Sequence, residues 1–396
     1  MKRLPSNLAF FIGTRTVSNT AYRMVYPFLP VFARAFGVDL ETMSLALSAR
    51  SASGALGPLL APFTDRHGRR FGLSLGLGLF AAGAFLAFGG PTFLLFTVAL
   101  VLMTMGKYVI DPSILAHLSD IVPYERRGRA LALTELSWSL AFILGVPAAG
   151  FLIARFGWRS PFLALAVLGL AGLIVVRAIP PGKAAAAAGD ADGDAAMPGG
   201  AGHRASYRAV FRSPAAMAGI ATILAVSMSN ELVNFVFGVW LENSFGLKLA
   251  ALGATAAAIG IAEFGGESLV VATVDRLGKT RALMIGLAAN ACAALVLPLT
   301  GRTVGMALVG LALFYLTFEY TVVSMLPVMS EILPQARATL LAFYAASFSV
   351  GRAFGSLVSP LLYGLGFTAG ALAAAGLNAV AFLFLLRLRR LTDGRR

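Results

Sequence analysis

Apolar runs long enough to cross a bilayer recur so regularly along this chain that a soluble fold is excluded. A hydrocarbon core of about 30 Å takes roughly 20 predominantly apolar residues in helical form. Twelve such segments can be counted, centred near Asn19, Ala52, Phe80, Lys107, Leu144, Leu170, Ser227, Ile261, Ala288, Thr317, Ser349 and Ala374. Composition agrees, since 58% of the 396 residues are hydrophobic and only 13% are charged, more apolar surface than a soluble core needs. The expected fold class is an all-α integral membrane protein with twelve transmembrane helices.

The formal net charge of +14 does not indicate a nucleic-acid partner. Lys and Arg are concentrated in short loops between the apolar segments, where they orient a membrane protein against its lipid bilayer. Arg66, Arg69, Arg70, Arg126, Arg127, Arg129, Arg276, Lys279, Arg281 and Arg337 fall on alternate loops, and so do Lys183, Arg204, Arg208, Arg212 and the tail to Arg396. Arg34, Arg155, Arg159, Lys248 and Arg302 on the opposite loops are the minority. Both termini are therefore expected in the cytoplasm, with the chain in the cytoplasmic cell membrane. Lys2 and Arg3 precede an apolar run as in a signal peptide, but that run is long, polar-studded and without a small-residue cleavage site, and it reads as a retained first helix. Cys292 is the single cysteine, so no disulfide framework is expected. His67, His117 and His203 are scattered, so neither a metal nor any other cofactor is expected.

The chain is also a duplication. The turn Asp65-Arg66-His67-Gly68-Arg69-Arg70 returns about 210 residues later as Asp275-Arg276-Leu277-Gly278-Lys279-Thr280-Arg281, again between two apolar segments. Ser18-Asn19 matches Ser229-Asn230, Phe36-Gly37-Val38 matches Phe245-Gly246-Leu247, and Ser119-Asp120 through Pro123 matches Ser330-Glu331 through Pro334 at nearly the same offset. Between the copies lies an Ala-, Gly- and Asp-rich stretch that cannot bury a core and reads as a flexible linker. The expected organisation is a six-helix bundle over 1–180, a cytoplasmic linker over 181–212 and a second six-helix bundle over 213–396.

The D-R-x-G-[RK]-[RK] turn after the second segment, repeated after the eighth, resembles the loop motif of the major facilitator superfamily, although Ala61 stands where that motif begins with glycine. The resemblance implies two pseudo-symmetric six-helix halves that rock about a midplane site. It also implies a conformational clasp in which Asp65, Arg66, Gly68 and Arg69 engage Asp120, with Asp275, Arg276, Gly278, Lys279 and Glu331 as its repeat. Gly145-Val146-Pro147-Ala148-Ala149-Gly150 in the fifth segment partly resembles an antiporter motif of that superfamily, but small residues for close helix packing explain it as well. The R-x-x-Q-G pattern of many drug/proton antiporters is missing from the fourth segment.

Ionisable residues within the apolar segments are costly and point to partners or a wet cavity. Arg15, Asn19, Tyr22, Arg23 and Tyr26 make one helical stripe in the first segment, and Thr104, Lys107, Tyr108 and Asp111 make another in the fourth. Ser227, Asn230, Glu231 and Asn234 follow in the seventh, and Tyr315, Phe318 and Glu319 in the tenth. These are the four helices that line the cavity in the superfamily. Asn19, Tyr22, Arg23, Tyr26, Lys107, Tyr108, Asp111, Asn230, Asn234 and Tyr315 are thus candidate solute-binding residues. Glu231 and Glu319 are candidate proton carriers, because a desolvated carboxylate titrates nearer neutrality. Arg15, Glu135, Glu263 and Arg352 are candidate buried ion pairs, while Arg50 and Glu267, nearer helix ends, are expected to snorkel and stay outside the site.

The function expected is secondary active transport of a small amphipathic or anionic organic solute by a monomer, with protons as coupling ion and export favoured over uptake or uniport. A sensor or scaffold that keeps the fold is the rival of another class, and the intramembrane charges weigh against it. With no G-x-x-x-x-G-K-[ST] loop and no catalytic constellation, neither ATP-driven transport nor an enzyme is expected.

Overall fold

The computed structural model describes residues 4–57, 68–122, 133–178 and 200–393. Asp65 and Arg66 lie outside them. The described chain forms α1 Leu4–Arg23, α2 Leu29–Phe36, α3 Leu40–Ser53, α4 Arg69–Gly89, α5 Phe93–Ile121, α6 Leu133–Phe156 and α7 Ser160–Ala178. It continues as α8 Gly200–Arg212, α9 Pro214–Phe245, α10 Leu249–Leu277, α11 Lys279–Val296, α12 Val304–Ile332, α13 Arg337–Gly364 and α14 Phe367–Asp393.

Among the described residues ten helices are long and apolar enough to cross a membrane, namely α4 to α7 and α9 to α14. The first two apolar segments are not in this set. The first is split into α1 and α2 by a turn over 24–28, because Pro27 has no N–H for the Arg23 carbonyl. Tyr26 N–H takes that acceptor instead, at 3.3 Å. The second is described only through α3 and a 3-10 turn, Gly54–Leu56.

Two compact units emerge. One contains residues 1–39, 49–194 and 247–260, and the other 40–48, 195–246 and 261–396. The exchange from one to the other near 194 falls inside the expected linker, while the first half of α3 and the first half of α10 each count with the opposite unit. Within the second unit, Ser48 of α3 donates its hydroxyl to the Ala353 carbonyl at 2.7 Å. Within the first, Gly260 of α10 packs so closely on α6 that a Cβ there would lie 2.8 Å from Phe142 Cβ.

The end of the linker departs from expectation. Residues 200–212 form helix α8, Val210 is fully buried in the apolar core of the second unit, and the Tyr207 and Phe211 rings pack edge-on against Phe343. Tyr207, Val210 and Phe211 stand at helical spacing, so one face of this stretch can bury itself although its composition is basic.

Inside each unit helices meet at glycine. A Cβ on Gly106 of α5 would lie 2.6 Å from the Gly76 carbonyl oxygen and 2.8 Å from Phe80 N of α4. In the second unit, Gly286 of α11 faces Tyr320 and Thr321 of α12 at 2.6 Å and 2.9 Å. Close backbone approach of this kind is how apolar helices gain contact where lipid removes the hydrophobic drive. The duplication extends to backbone geometry. The positive-φ glycines pair as Gly37 with Gly246, Gly68 with Gly278 and Gly157 with Gly366, each about 210 residues apart. Gly68 and Gly278, at φ 88° and 80°, start α4 and α11 from conformations that a side chain disfavours.

Close packing of α4 on α5 predicts that Gly106→Val lowers the thermal unfolding midpoint in detergent, with an overpacking cost of about 1–3 kcal/mol or more. Gly78→Ala, whose Cβ would meet nothing within 4 Å, is the control and leaves the midpoint unchanged or raises it. Equal behaviour of the two variants would sink the packing assignment.

Candidate functional site

The first unit gathers its charges where α1, α5 and α6 meet. Arg15 of α1 donates from Nη1 and Nη2 to the two Glu135 oxygens at 2.8 Å and 3.2 Å, from Nη1 to Thr134 Oγ1 at 3.1 Å, and from Nε to Asp111 Oδ1 at 3.3 Å. Asp111 Oδ2 also receives the Lys107 ammonium, one turn away on α5. Two cations thus share two carboxylates, which satisfies the planar Arg15 fork on both edges. Glu135 is not the buried group that was expected, because its side chain remains 56% exposed while the Arg15 side chain it holds is 8% exposed.

The rest of the α1 stripe is buried along the same face. Asn19 donates from Nδ2 to Ser137 Oγ at 3.2 Å, and its Oδ1 is buried with no hydrogen-bond partner among the described residues. Arg23 donates to the Trp138 carbonyl at 2.9 Å and lies over the rings of Trp138 and Phe142, 4.3 Å and 3.4 Å from their centroids. That carbonyl precedes a π-helical turn in α6, Ala141–Gly145, where Val146 N–H reaches back five residues to Ala141. Pro147 explains it, since its ring would clash with the Ile143 carbonyl in a regular helix. The antiporter-like stretch is also a packing seam: Gly145 abuts Thr20, and a Cβ on Gly150 would come within 2.8 Å of the Phe28 ring.

Arg50 of α3 corrects the sequence reading most sharply. It is 1% exposed, not snorkelling, donates to the Tyr22 carbonyl at 2.8 Å and the Tyr26 hydroxyl at 2.7 Å, and lies 4.1 Å from the Tyr22 ring centroid. Its position near the end of an apolar run hid this, because the partners come from α1 and the turn that follows it. Tyr108 turns to another side of α5, where its ring packs 3.7 Å from the place a Cβ on Gly57 would take.

In the second unit the centre is Glu231 of α9, whose side chain is 0% exposed. It accepts from Ser356 Oγ of α13 at 2.8 Å and from Asn234 Nδ2 at 3.2 Å, while Arg352 Nη1 stands 3.9 Å away. Asn234 Oδ1 in turn accepts from the Tyr315 hydroxyl of α12 at 2.8 Å. Gly355 makes the approach of α13 possible, for a Cβ there would lie 2.6 Å from Glu231 Cβ. Asn230 is buried, and its Nδ2 has no hydrogen-bond partner among the described residues. Glu319 and Glu263 are buried on α12 and α10.

The buried charged side chains are unevenly shared. Among the described residues those of the first unit are Arg15, Arg23, Arg50 and Lys107, whereas those of the second are Glu231, Glu263, Glu319 and Arg352.

At the charged turns, Arg69 Nε lies 3.5 Å from Asp120 Oδ2, and Lys279 pairs with Glu331 in the repeat. Asp275 and Arg276 are exposed, and among the described residues no ion pair involves either. Sequence reasoning missed a polar knot linking α11, α12 and α14: Asn290 donates to the Phe314 carbonyl at 2.8 Å, and Asn378 donates to Asn290 Oδ1 at 2.7 Å. Two intramembrane asparagines were its only signal.

Comparisons with known proteins converge. The chain is 26% identical over 367 residues to the MFS-type transporter YwfA of Bacillus subtilis, covering 91% of this chain and 86% of that one. It is 31% identical over 171 residues to the chloramphenicol resistance protein of Streptomyces lividans, a stretch covering 43% of this chain and 44% of that one. The crystal structure of a D-xylose–proton symporter shares the fold, with a TM-score of 0.78 at 16% identity over 96% of each chain. The pattern of the Major Facilitator Superfamily matches residues 11–335, and with spanning helices, duplication and charged turns in place, the chain belongs to that superfamily of membrane transporters.

Proposed function

We propose that this transporter moves a small amphipathic or anionic organic solute out of the cell, coupled to protons, with Glu231 as the coupling acid and Glu319 as a second carrier. The observation that carries the proposal is the fully buried Glu231 carboxylate, hydrogen-bonded by Ser356 and Asn234, with Arg352 at 3.9 Å. A carboxylate so enclosed is costly as an anion unless a cation or a proton neutralises it. Arg352 is the cation near enough to neutralise it, and a proton carried with the solute is the alternative.

The charge contrast between the units supports an anionic or zwitterionic cargo, with Asn19, Tyr22, Arg23, Tyr26, Lys107, Tyr108 and Asp111 of the first unit and Asn230, Asn234 and Tyr315 of the second as its binding residues. Export is supported by the likeness to the chloramphenicol resistance protein. Import or uniport remains the second reading, because the same halves can rock in either direction. The role is transport and not catalysis, carried out by a monomer in the cytoplasmic membrane with both termini inside. Asp65, Arg66, Gly68, Arg69 and Asp120, with Asp275, Arg276, Gly278, Lys279 and Glu331, act as the paired clasps that time the rocking.

Reconstitution in liposomes holding a pH dye tests the coupling. Addition of solute pools to wild-type protein is expected to change the internal pH, and Glu231→Gln is expected to abolish that change while labelled solute still exchanges. A Glu231→Gln protein that still moves protons with solute would falsify the assignment. For the clasps, Lys279→Ala removes an exposed pair worth at most about 1 kcal/mol, so its unfolding midpoint should barely move while its flux slows. Flux unchanged in Lys279→Ala and in Arg69→Ala would reduce these turns to orientation signals.

A further inference from the structure

Helix α8 is basic along one face. Arg204, Arg208 and Arg212 recur every four residues, about 6 Å apart along the axis, and Gly200–Arg212 contains no acidic residue. Arg208 and Arg212 are exposed, and among the described residues neither takes part in a hydrogen bond or ion pair. At about 100° of turn per residue, Tyr207 and Phe211 fall between the buried Val210 and this row of arginines. The order around the helix is therefore core, aromatic ring, guanidinium.

The helix is fixed at one end of the second unit. It packs against the start of α9, the turn Pro334–Ala336 and the start of α13. Helix α14, which runs back from α13, ends at the same level with Arg387 and Arg390 exposed. Ser213 is extended and its hydroxyl accepts from Ala216 N–H, so α8 stops where the spanning helix α9 begins. The Tyr207 and Phe211 rings reach Phe343, about 9 Å inside the start of α13, yet they remain 42% and 58% exposed. Half-open aromatic rings at the end of spanning helices, with arginines on their outer side, suit a helix that lies in a bilayer interface.

We propose that α8 is an interfacial helix that binds the headgroups of anionic phospholipid. Arg208 and Arg212 take phosphate oxygens, which the guanidinium fork matches, while Tyr207 and Phe211 sit at the boundary with the acyl chains. Val210 and Phe343 fix the roll of the helix, so the arginine row faces outward. A soluble acidic protein would meet the charge but leave the half-open rings uncovered, whereas a lipid covers both. On the topology proposed above, this end lies at the cytoplasmic leaflet, whose surface is the negative one.

Full-length Phe211→Trp protein in nanodiscs of phosphatidylcholine and phosphatidylglycerol in equal parts tests the surface, with wild-type emission subtracted for Trp138, Trp158 and Trp240. Bromine is carried on the acyl chains of one lipid or of the other. Brominated phosphatidylglycerol should quench the added emission more strongly than brominated phosphatidylcholine, to a degree that reports local enrichment of about fivefold or more, and salt should erode the difference. Adding Arg208→Gln and Arg212→Gln together should bring the two lipids close to parity, while Arg208→Lys with Arg212→Lys should keep most of the preference. Equal quenching by the two lipids, or a preference unaltered in the glutamine pair, overturns the assignment. Absence of quenching by either places α8 outside the bilayer, leaves the arginine row to a soluble acidic partner and overturns it too. If the glutamine pair is not monodisperse, Arg208→Gln alone takes its place, and a preference that neither it nor high salt reduces overturns the inference.

Discussion

An ionised side chain in an apolar helix must find its counter-charge within a few ångströms, and Arg15 shows how much of this fold depends on that demand. It rises from α1 and takes Asp111 of α5 and Glu135 of α6 at once, so the rotation of three helices about their own axes is tied to a single guanidinium. Removing both carboxylates would strand the Arg15 guanidinium, 8% exposed, in low dielectric, which costs more than replacing the cluster by apolar groups. The cluster is thus a poor source of net stability and a strong selector of one helix register. Lys107 belongs to it through Asp111, and so its ammonium takes its position from Arg15 as well.

Glycine supplies the complementary constraint, since charges can meet only if backbones come close. Gly145 brings α6 onto α1 at Thr20, about two turns along α6 from where Ser137 and Trp138 meet Asn19 and Arg23. Gly355 does the same for α13 on α9 and leaves its neighbour Ser356 2.8 Å from Glu231. The two contacts are about 210 residues apart and join equivalent helices of the two copies. Duplication has therefore preserved the packing seam while the charges beside it diverged, basic in the first copy and largely acidic in the second.

That divergence gives the two units different chemical work. The first presents guanidinium and ammonium groups over aromatic faces, which suits recognition of an anionic group. The second presents a carboxylate whose hydrogen bonds from Ser356 and Asn234 extend to the Tyr315 hydroxyl. Placing the two charge sets on different copies lets each be tuned without disturbing the other.

Local periodicity made a good part of this legible from residues alone. The spans, the 210-residue repeat, the polar faces of α1, α5 and α9 and the Lys107–Asp111 pair at i and i+4 all follow from spacing along one helix. The packed face of α8 was readable too, from Tyr207, Val210 and Phe211, but its basic composition masked it. What spacing cannot contain is the partner across space. Glu135 lies 120 residues from Arg15, and whether they meet depends on helix rotation and on how closely Gly145 lets α6 approach. Arg50 illustrates the same limit, because its place near the end of an apolar run suggests an exposed head, while Tyr22 of α1 and Tyr26 of the turn after it close over it. The sequence by itself determined which residues lie on which helix face and that the chain is a membrane-spanning duplication, since both are properties of local order. Tertiary packing alone decided which charges are buried, which share a carboxylate and which line a cavity, because burial and Coulomb energy depend on distances between segments that are remote in the chain.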